Sequence, residues 1–452
     1  MTDYDAILIG AGPSGEHCAG ALADGGLRVA IVERELIAGE CSYYACIPSK
    51  TLLRPGEALN GARHAPGARE AVTRRVDVAQ ALAWRDFMVS DYDDSAQAAW
   101  LADKGIDLYR GAGRIAGRGL VSVDGRRLAT QHVVLATGSE PFIPPIPGLR
   151  ELDGVWTNRE VTGLKEIPDR LVILGAGPVG VEMAQALARF GAEVALVEGM
   201  DHILPREPKP LGDALATALR ADGVEVHLGR RAERVDREGA EFVVTFPDGS
   251  ELRGDRLLVA TGRRPRVHDI GLETLGIEPN PHGVEVDDRM NAGEGLWAIG
   301  DVTGVWPLTY VGKYQGRVAA ANILGRERRA NYDAVPRVVF TDPQAASVGD
   351  ADGPVTATVP LASVPKTATY MRDYEDDPGF LTLVSDGERL TGANALGPEA
   401  GEWMQQAVLA VRAGLPIGVM EDTIQPFPAF TEIFLFALEE LTQRVKAAAP
   451  VA

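Results

Sequence analysis

The apolar run Ala6–Ile9 ends abruptly at Gly10, and an alanine-rich, helix-forming stretch follows it. A second apolar run, Val29–Val32, then ends on Glu33. This order predicts strand, tight turn, helix and strand. It occurs twice: residues 6–15 read AILIGAGPSG and residues 171–180 read LVILGAGPVG. Gly10, Gly12 and Gly15 correspond to Gly175, Gly177 and Gly180 at a constant offset, which still holds at Val194–Val197 and Glu198. Further apolar runs, His132–Leu135 and Arg256–Val259, lead into Ala136-Thr137-Gly138 and Ala260-Thr261-Gly262. Another, Leu296–Ile299, leads into Gly300-Asp301. Pro141–Pro147 (PFIPPIP) reads as an extended linker.

From about Ala334 the texture changes to alternating strands at Arg337–Phe340, Val355–Pro360 and Phe380–Val384, with a helix near Gly401–Ala413. In the last helix Phe430, Ile433, Phe434, Ala437, Leu438 and Leu441 form one stripe, read as core or subunit interface. The predicted fold is α/β: two doubly wound, Rossmann-like nucleotide domains and a C-terminal α+β domain. The expected boundaries are 1–148 for the first nucleotide domain, 149–267 for the second, 268–333 for a return to the first, and 334–452 for the C-terminal domain.

Each repeat is the dinucleotide fingerprint in its required strand–helix context. The first glycine permits the turn, the second lets backbone approach a pyrophosphate, and the third lets helix pack on strand. The phosphates then meet the free N–H groups of the helix N-terminus. Pro13 and Ser14 complete the first turn and Val179 the second. Glu33 and Glu198 are placed to accept from a ribose hydroxyl. At Glu198 this favours a free 2′-OH, hence NADH over NADPH.

Composition narrows the partners. With 64 acidic and 45 basic residues the net charge is −19, which disfavours nucleic acid. No apolar run is long enough to span a membrane. There are three cysteines, Cys18, Cys41 and Cys46, and the N-terminus has no basic, apolar leader pattern. Both features point to the cytoplasm.

Cys41 and Cys46 lie together in Gly39-Glu40-Cys41-Ser42-Tyr43-Tyr44-Ala45-Cys46-Ile47-Pro48-Ser49-Lys50, just after Glu33. The spacing allows a disulfide across one helical turn. Pro48 suits a first helical turn, which puts Cys46 at a helix N-terminus where the dipole favours a thiolate. With no second cysteine pair and the nearest histidine at His64, a metal site is not expected.

The whole pattern resembles the class I pyridine nucleotide-disulfide oxidoreductases, from Tyr4 to about Lys446. The resemblance implies FAD at the first fingerprint, a nicotinamide nucleotide at the second, and a homodimer formed through the C-terminal domain. It makes Cys46 the thiol facing the flavin and Cys41 the thiol facing substrate. It pairs Lys50 with Glu182 beside the flavin, gives Asp301 the ribityl chain, and sets the Gly111-Ala112-Gly113 loop near the adenine.

Several positions depart from that family. Its disulfide reductases carry a C-terminal His-Pro-x-x-x-Glu motif. Here Pro428 and Glu432 remain, but Phe427 stands where the histidine belongs, and all seven histidines precede residue 283. Phe427–Thr431 resembles mercuric reductase, yet no cysteine follows Cys46. Pro178 occupies the usual aromatic gate, and Tyr43 and Tyr44 are read mainly as packing, with flanking of a planar substrate as the alternative. The leading expectation is a relay from NAD(P)H through FAD and Cys41–Cys46 to a small-molecule acceptor: a disulfide, a metal ion or another electrophile. The alternatives are direct reduction of quinones, dyes or oxygen, and a non-catalytic flavoprotein partner.

Overall fold

The computed structural model describes residues 2–364 and 378–448, and the chain divides into two compact units. The first comprises Met1–Pro48, Ala83–Phe142 and Gly262–Asn331. Its main sheet places the strand Tyr4–Ile9 between Val29–Glu33 and Arg126–Leu135, both parallel to it. The sheet continues to Asp107–Arg110 on one side and to Leu296–Ala298 on the other. The parallel register Leu296↔Val133 shows how the segment after Gly262 completes the first nucleotide fold. Ile7, Ile9, Ala30, Val32, Val133, Leu135, Leu296 and Ala298 form the core on one face.

Parallel strands buried on both faces are continuous apolar runs, which is why these short segments were legible as strands. Helix Thr309–Ile323 packs closely on helix Pro13–Asp24. Glycine makes the close approach possible: a Cβ on Gly312 would lie 2.1 Å from Ser14 Oγ, and one on Gly316 2.9 Å from the Ser14 carbonyl oxygen.

The second unit comprises Ser49–Leu82, Ile143–Thr261 and Tyr332–Ala452. Within it, the strands Glu225–His227, Glu193–Val197, Arg170–Leu174 and Arg256–Val259 form a parallel sheet in that order. A separate five-stranded antiparallel sheet includes Arg337–Val339, Val355–Pro360 and Phe380–Ser385. The expected helix near residue 401 is two: Ala400–Trp403 and Gln405–Ala413. Helix Ile433–Ala448 buries Ile433, Phe434, Ala437, Leu438 and Leu441 completely, each at 0% exposure. Its apolar stripe is therefore core of this domain; Leu435 and Phe436 are large apolar residues that the helix exposes.

Candidate active site

The two fingerprints fold alike, and their strand-end acids accept matching hydrogen bonds. Gly10 and Gly175 take φ of +106° and +100°, a conformation costly for any side chain-bearing residue. A Cβ on either would strike the next strand's end, 2.3 Å from the Ala136 oxygen or 2.5 Å from that of Ala260. Gly15 and Gly180 press their helices onto the turns, so that a Cβ would lie 2.1 and 2.0 Å from the oxygens of Gly10 and Gly175. Gly12 and Gly177 differ: a Cβ there meets no atom within 4 Å. Each faces open space at a helix N-terminus, a cradle suited to pyrophosphate.

Both strand-end acids are anchored by the turn they face. Glu33 accepts from the Ala11 N–H at 2.8 Å and the Glu35 N–H at 2.8 Å. Glu198 accepts from the Ala176 N–H at 2.8 Å and the Met200 N–H at 3.0 Å.

The cysteine segment is tied to the first cradle. The Ala38 N–H donates to the Ala11 oxygen at 2.7 Å. Gly39 lies against Gly12, leaving 3.0 Å between its would-be Cβ and the Gly12 Cα. Cys41 then sits in the short helix Gly39–Tyr43, and Cys46 is the first residue of helix Cys46–His64. Both are thiols in this structure and share a hydrogen bond. Thr309 Oγ1 lies 3.4 Å from Cys46 Sγ, and its hydroxyl also bonds Cys41. The shared bond with Cys46, then burial, hold the Cys41 thiol far above its ordinary range. The first proton to leave such a pair belongs to the pair, and the second is retained strongly. Tyr43 is buried, and Tyr44 stacks on Tyr92 with centroids 5.6 Å apart, so both tyrosines pack.

Asp301, beside Gly300 in the turn Gly300–Thr303, accepts from Ser139 Oγ at 2.6 Å. Ser139 Oγ in turn accepts from Arg263 Nε at 2.8 Å. The Gly300 N–H donates to Gln315 Oε1 at 2.6 Å. Arg263 and Arg266 flank Glu40, the neighbour of Cys41, at 3.5 Å each. Thr137 Oγ1 donates to the Arg266 oxygen, and Gly138 and Gly262 adopt positive φ at the two strand exits. Gly113 begins a strand and leaves room for Val32 and Ile9, each about 3 Å from its would-be Cβ.

In the second unit, Lys50 Nζ pairs with both oxygens of Glu182, and the Phe340 N–H donates to Glu182 Oε1 at 3.0 Å. Lys50 Nζ also stands 4.8 Å from the Phe340 ring centroid. Pro178 opens helix Pro178–Phe190 and is exposed. Glu432 closes the turn Phe430–Glu432, and Phe427 is 64% exposed. Sequence reading missed Thr309, Ser139, Arg263 and Gln315 in the first unit and Phe340 in the second, which reach their partners by tertiary packing and carry no motif. Among the described residues there is no group of three or more His, Cys, Asp or Glu able to hold a metal ion, and no helix long and apolar enough to cross a membrane.

Taken with this geometry, comparison with known proteins defines the class. The family model for pyridine nucleotide-disulphide oxidoreductases matches residues 4–316, and that for the family's dimerisation domain matches residues 335–437. The chain belongs to this family of FAD-dependent oxidoreductases. It is 33% identical to a mercuric reductase of Acidithiobacillus ferrooxidans, over 97% of this chain and 83% of that one. It is equally 33% identical to a dihydrolipoyl dehydrogenase of Thermus scotoductus, over 98% of both. Among solved structures it matches the HOCl-induced flavoprotein disulfide reductase RclA of Escherichia coli with a TM-score of 0.84 at 29% identity, covering 96% of this chain and 99% of that one.

Proposed function

We propose that the protein is a cytoplasmic homodimer that oxidises NADH and delivers the electrons, through its FAD and the Cys41–Cys46 pair, to a small thiol-reactive acceptor. Bound FAD would supply the two-electron exchange between nicotinamide and sulfur. The open cradle at Gly12, with Gly10, Pro13, Ser14, Gly15, Glu33, Gly39, Gly113, Ala136, Thr137, Gly138, Gly300 and Asp301, is the set that fits it. Gly175, Gly177, Val179, Gly180, Glu198 and Gly262 fit the nicotinamide nucleotide. Glu198 offers a carboxylate to a ribose 2′-OH and would repel a 2′-phosphate, which supports NADH over NADPH.

The chain's own residues set the thiol chemistry. The helix N-terminus favours a thiolate at Cys46, with Thr309 as its hydroxyl partner. Cys41 attacks the acceptor, and Cys46 resolves the mixed species by closing the disulfide. Lys50 and Glu182 hold a fixed charge pair for the nicotinamide half-reaction. With Phe427 in the histidine position, protons reach the leaving group from elsewhere, and Glu432 has no imidazole to orient. For the reading of function we keep the boundaries expected from sequence, 1–148, 149–267, 268–333 and 334–452, as part of the proposal.

The observation that carries this reading is the hydrogen-bonded pair Cys41–Cys46, with one hydroxyl, that of Thr309, reaching both. It is tested by NADH-dependent reduction of disulfides and thiophilic metal ions. Cys41→Ser is expected to abolish turnover with both; full turnover in that variant means that the flavin reduces acceptors directly.

A further inference from the structure

Glu40 immediately precedes Cys41, and arginines hold both of its carboxylate oxygens. Arg263 Nη2 lies 3.5 Å from Glu40 Oε2, and Arg266 Nη2 lies 3.5 Å from Oε1. The Glu40 side chain is only 19% exposed, so solvent screens these pairs less than it screens a surface pair. Arg263 also reaches further. Its Nε donates to Ser139 Oγ at 2.8 Å and its Nη2 to the Ser139 carbonyl oxygen at 2.9 Å. Ser139 Oγ donates in turn to Asp301 Oδ2 at 2.6 Å. A continuous polar chain therefore runs from Glu40 through Arg263 and Ser139 to Asp301. Strand pairing stiffens it, because Arg263–Pro265 and Ser139–Pro141 form an antiparallel ribbon with Pro265 opposite Ser139. Arg266 Nε lies 4.0 Å from Glu140, which accepts from Arg264 Nε at 2.7 Å. The carboxylates of Glu40, Glu140 and Asp301 thus balance the guanidiniums of Arg263, Arg264 and Arg266, and all six residues belong to the first unit.

The helix that carries Cys41 needs such an anchor. Gly39–Tyr43 is five residues long, little more than one turn, and a helix that short does not hold itself together. The chain enters it through Ala38 at φ +74°, and no side chain caps its N-terminus. The bonds from the Ala38 N–H to Ala11 and from the Ile37 N–H to Asp94 Oδ2 fix the chain ahead of the helix. Tyr43, buried with Ala38 and Val89, fixes its last residue. Between these points Glu40 ties the helix to the strand exit at Ser139. We infer that Glu40 is a positioning residue of the relay: through Arg263 and Ser139 it holds the Cys41 helix in fixed register with Asp301, and so with the flavin. This rests on the reading of Asp301 as the ribityl acid and of Cys41–Cys46 as the relay. A misplacement of about 1 Å in a reacting group can cost as much as ~100-fold in rate. Release of the anchor therefore slows the passage of electrons onto the Cys41–Cys46 disulfide and leaves the reduction of the flavin by NADH as it was.

The test uses the full-length, air-oxidised holoenzyme and the variants Glu40→Ala and Glu40→Gln. Each is mixed with NADH without oxygen, and the flavin absorbance is followed in time. The rate of flavin reduction, and turnover with dichlorophenolindophenol, a dye that takes electrons from the flavin itself, should match the unaltered protein in both variants. The long-wavelength band that marks electrons on the cysteine pair should form about tenfold more slowly in Glu40→Ala. Glu40→Gln should slow it less, because its amide oxygen still accepts from one arginine, and this near-isosteric variant decides the matter if Glu40→Ala does not fold. A band that forms at the parent's rate in both variants overturns the role of Glu40 and leaves the relay standing. Dye turnover that falls in step with the band also overturns it, since the cluster then serves the flavin site and not the thiols. Absence of the band in the unaltered protein overturns the relay itself, and the role of Glu40 with it.

Discussion

Lys50 Nζ lies 2.8 and 3.0 Å from the two carboxylate oxygens of Glu182, whose side chain is only 4% exposed. A carboxylate so buried is tolerated because the ammonium and the Phe340 N–H together replace its water. Lys50→Met leaves that charge with one backbone donor. It should cost about 2–3 kcal/mol in chemical denaturation, toward the low end for a buried pair because Lys50 itself is partly exposed. Glu182→Gln removes the charge yet keeps an acceptor for Phe340, so it should cost less. If the pair serves the nicotinamide half-reaction, both variants should slow flavin reduction by NADH at least tenfold; an unchanged rate in both makes the pair purely structural.

The glycines of the first fingerprint separate folding from cofactor binding. Gly15→Ala drives a Cβ to within 2.1 Å of the Gly10 oxygen, a backbone atom that cannot swing away. Gly12→Ala meets nothing in the protein. Gly12→Ala should therefore express and melt as a folded protein but purify with little FAD. Gly15→Ala should be poorly folded outright. Equal flavin content in Gly12→Ala and the parent would mean that pyrophosphate does not use this cradle.

Most of the architecture was legible because parallel strands buried on both faces write themselves as short apolar runs, and because Gly10, Gly12 and Gly15 recur at Gly175, Gly177 and Gly180. The hydrogen bonds from Ala11 to Glu33 and from Ala176 to Glu198 repeat the same offset. What the motifs did not disclose were the partners recruited from distant sequence. Thr309 reaches Cys46 across 263 positions, and Ser139 reaches Asp301 across 162. Such contacts depend on how helices and strand exits pack, and nothing in the local spelling marks them. The ambiguity of the final helix had a physical source too, since a one-sided apolar stripe serves a core or an interface equally well.

Glu16 gives the protein a pH signature. Burial raises its carboxyl to about 7 from its ordinary 4.5. Between those values the unfolded chain loses the proton and the folded protein keeps it. Stability from this group is therefore full below about 4.5 and is lost as pH rises through about 7. Glu16→Gln should stabilise the protein by about 2 kcal/mol at pH ~8 and change it little at pH ~5. Thermal or denaturant melts at the two pH values check this; an equal effect at both contradicts the assignment.

The proposed preference for NADH rests on Glu198. Glu198→Ala removes the ribose acceptor and frees the Ala176 and Met200 N–H groups. The KM for NADH should rise about tenfold or more, the loss of a charged hydrogen bond, while NADPH, relieved of repulsion, should lose far less. Steady-state kinetics with both nucleotides read the ratio; parallel losses would remove Glu198 as the discriminator.

The most direct test of the relay is an anaerobic titration with NADH, followed by the flavin absorbance. The account predicts that the first reducing equivalent brings up a long-wavelength band from the Cys46 thiolate against the flavin, and that Cys46→Ser abolishes it. Direct bleaching of the flavin with no such band in the unaltered protein would contradict it, and would place Cys41 and Cys46 outside the path of the electrons.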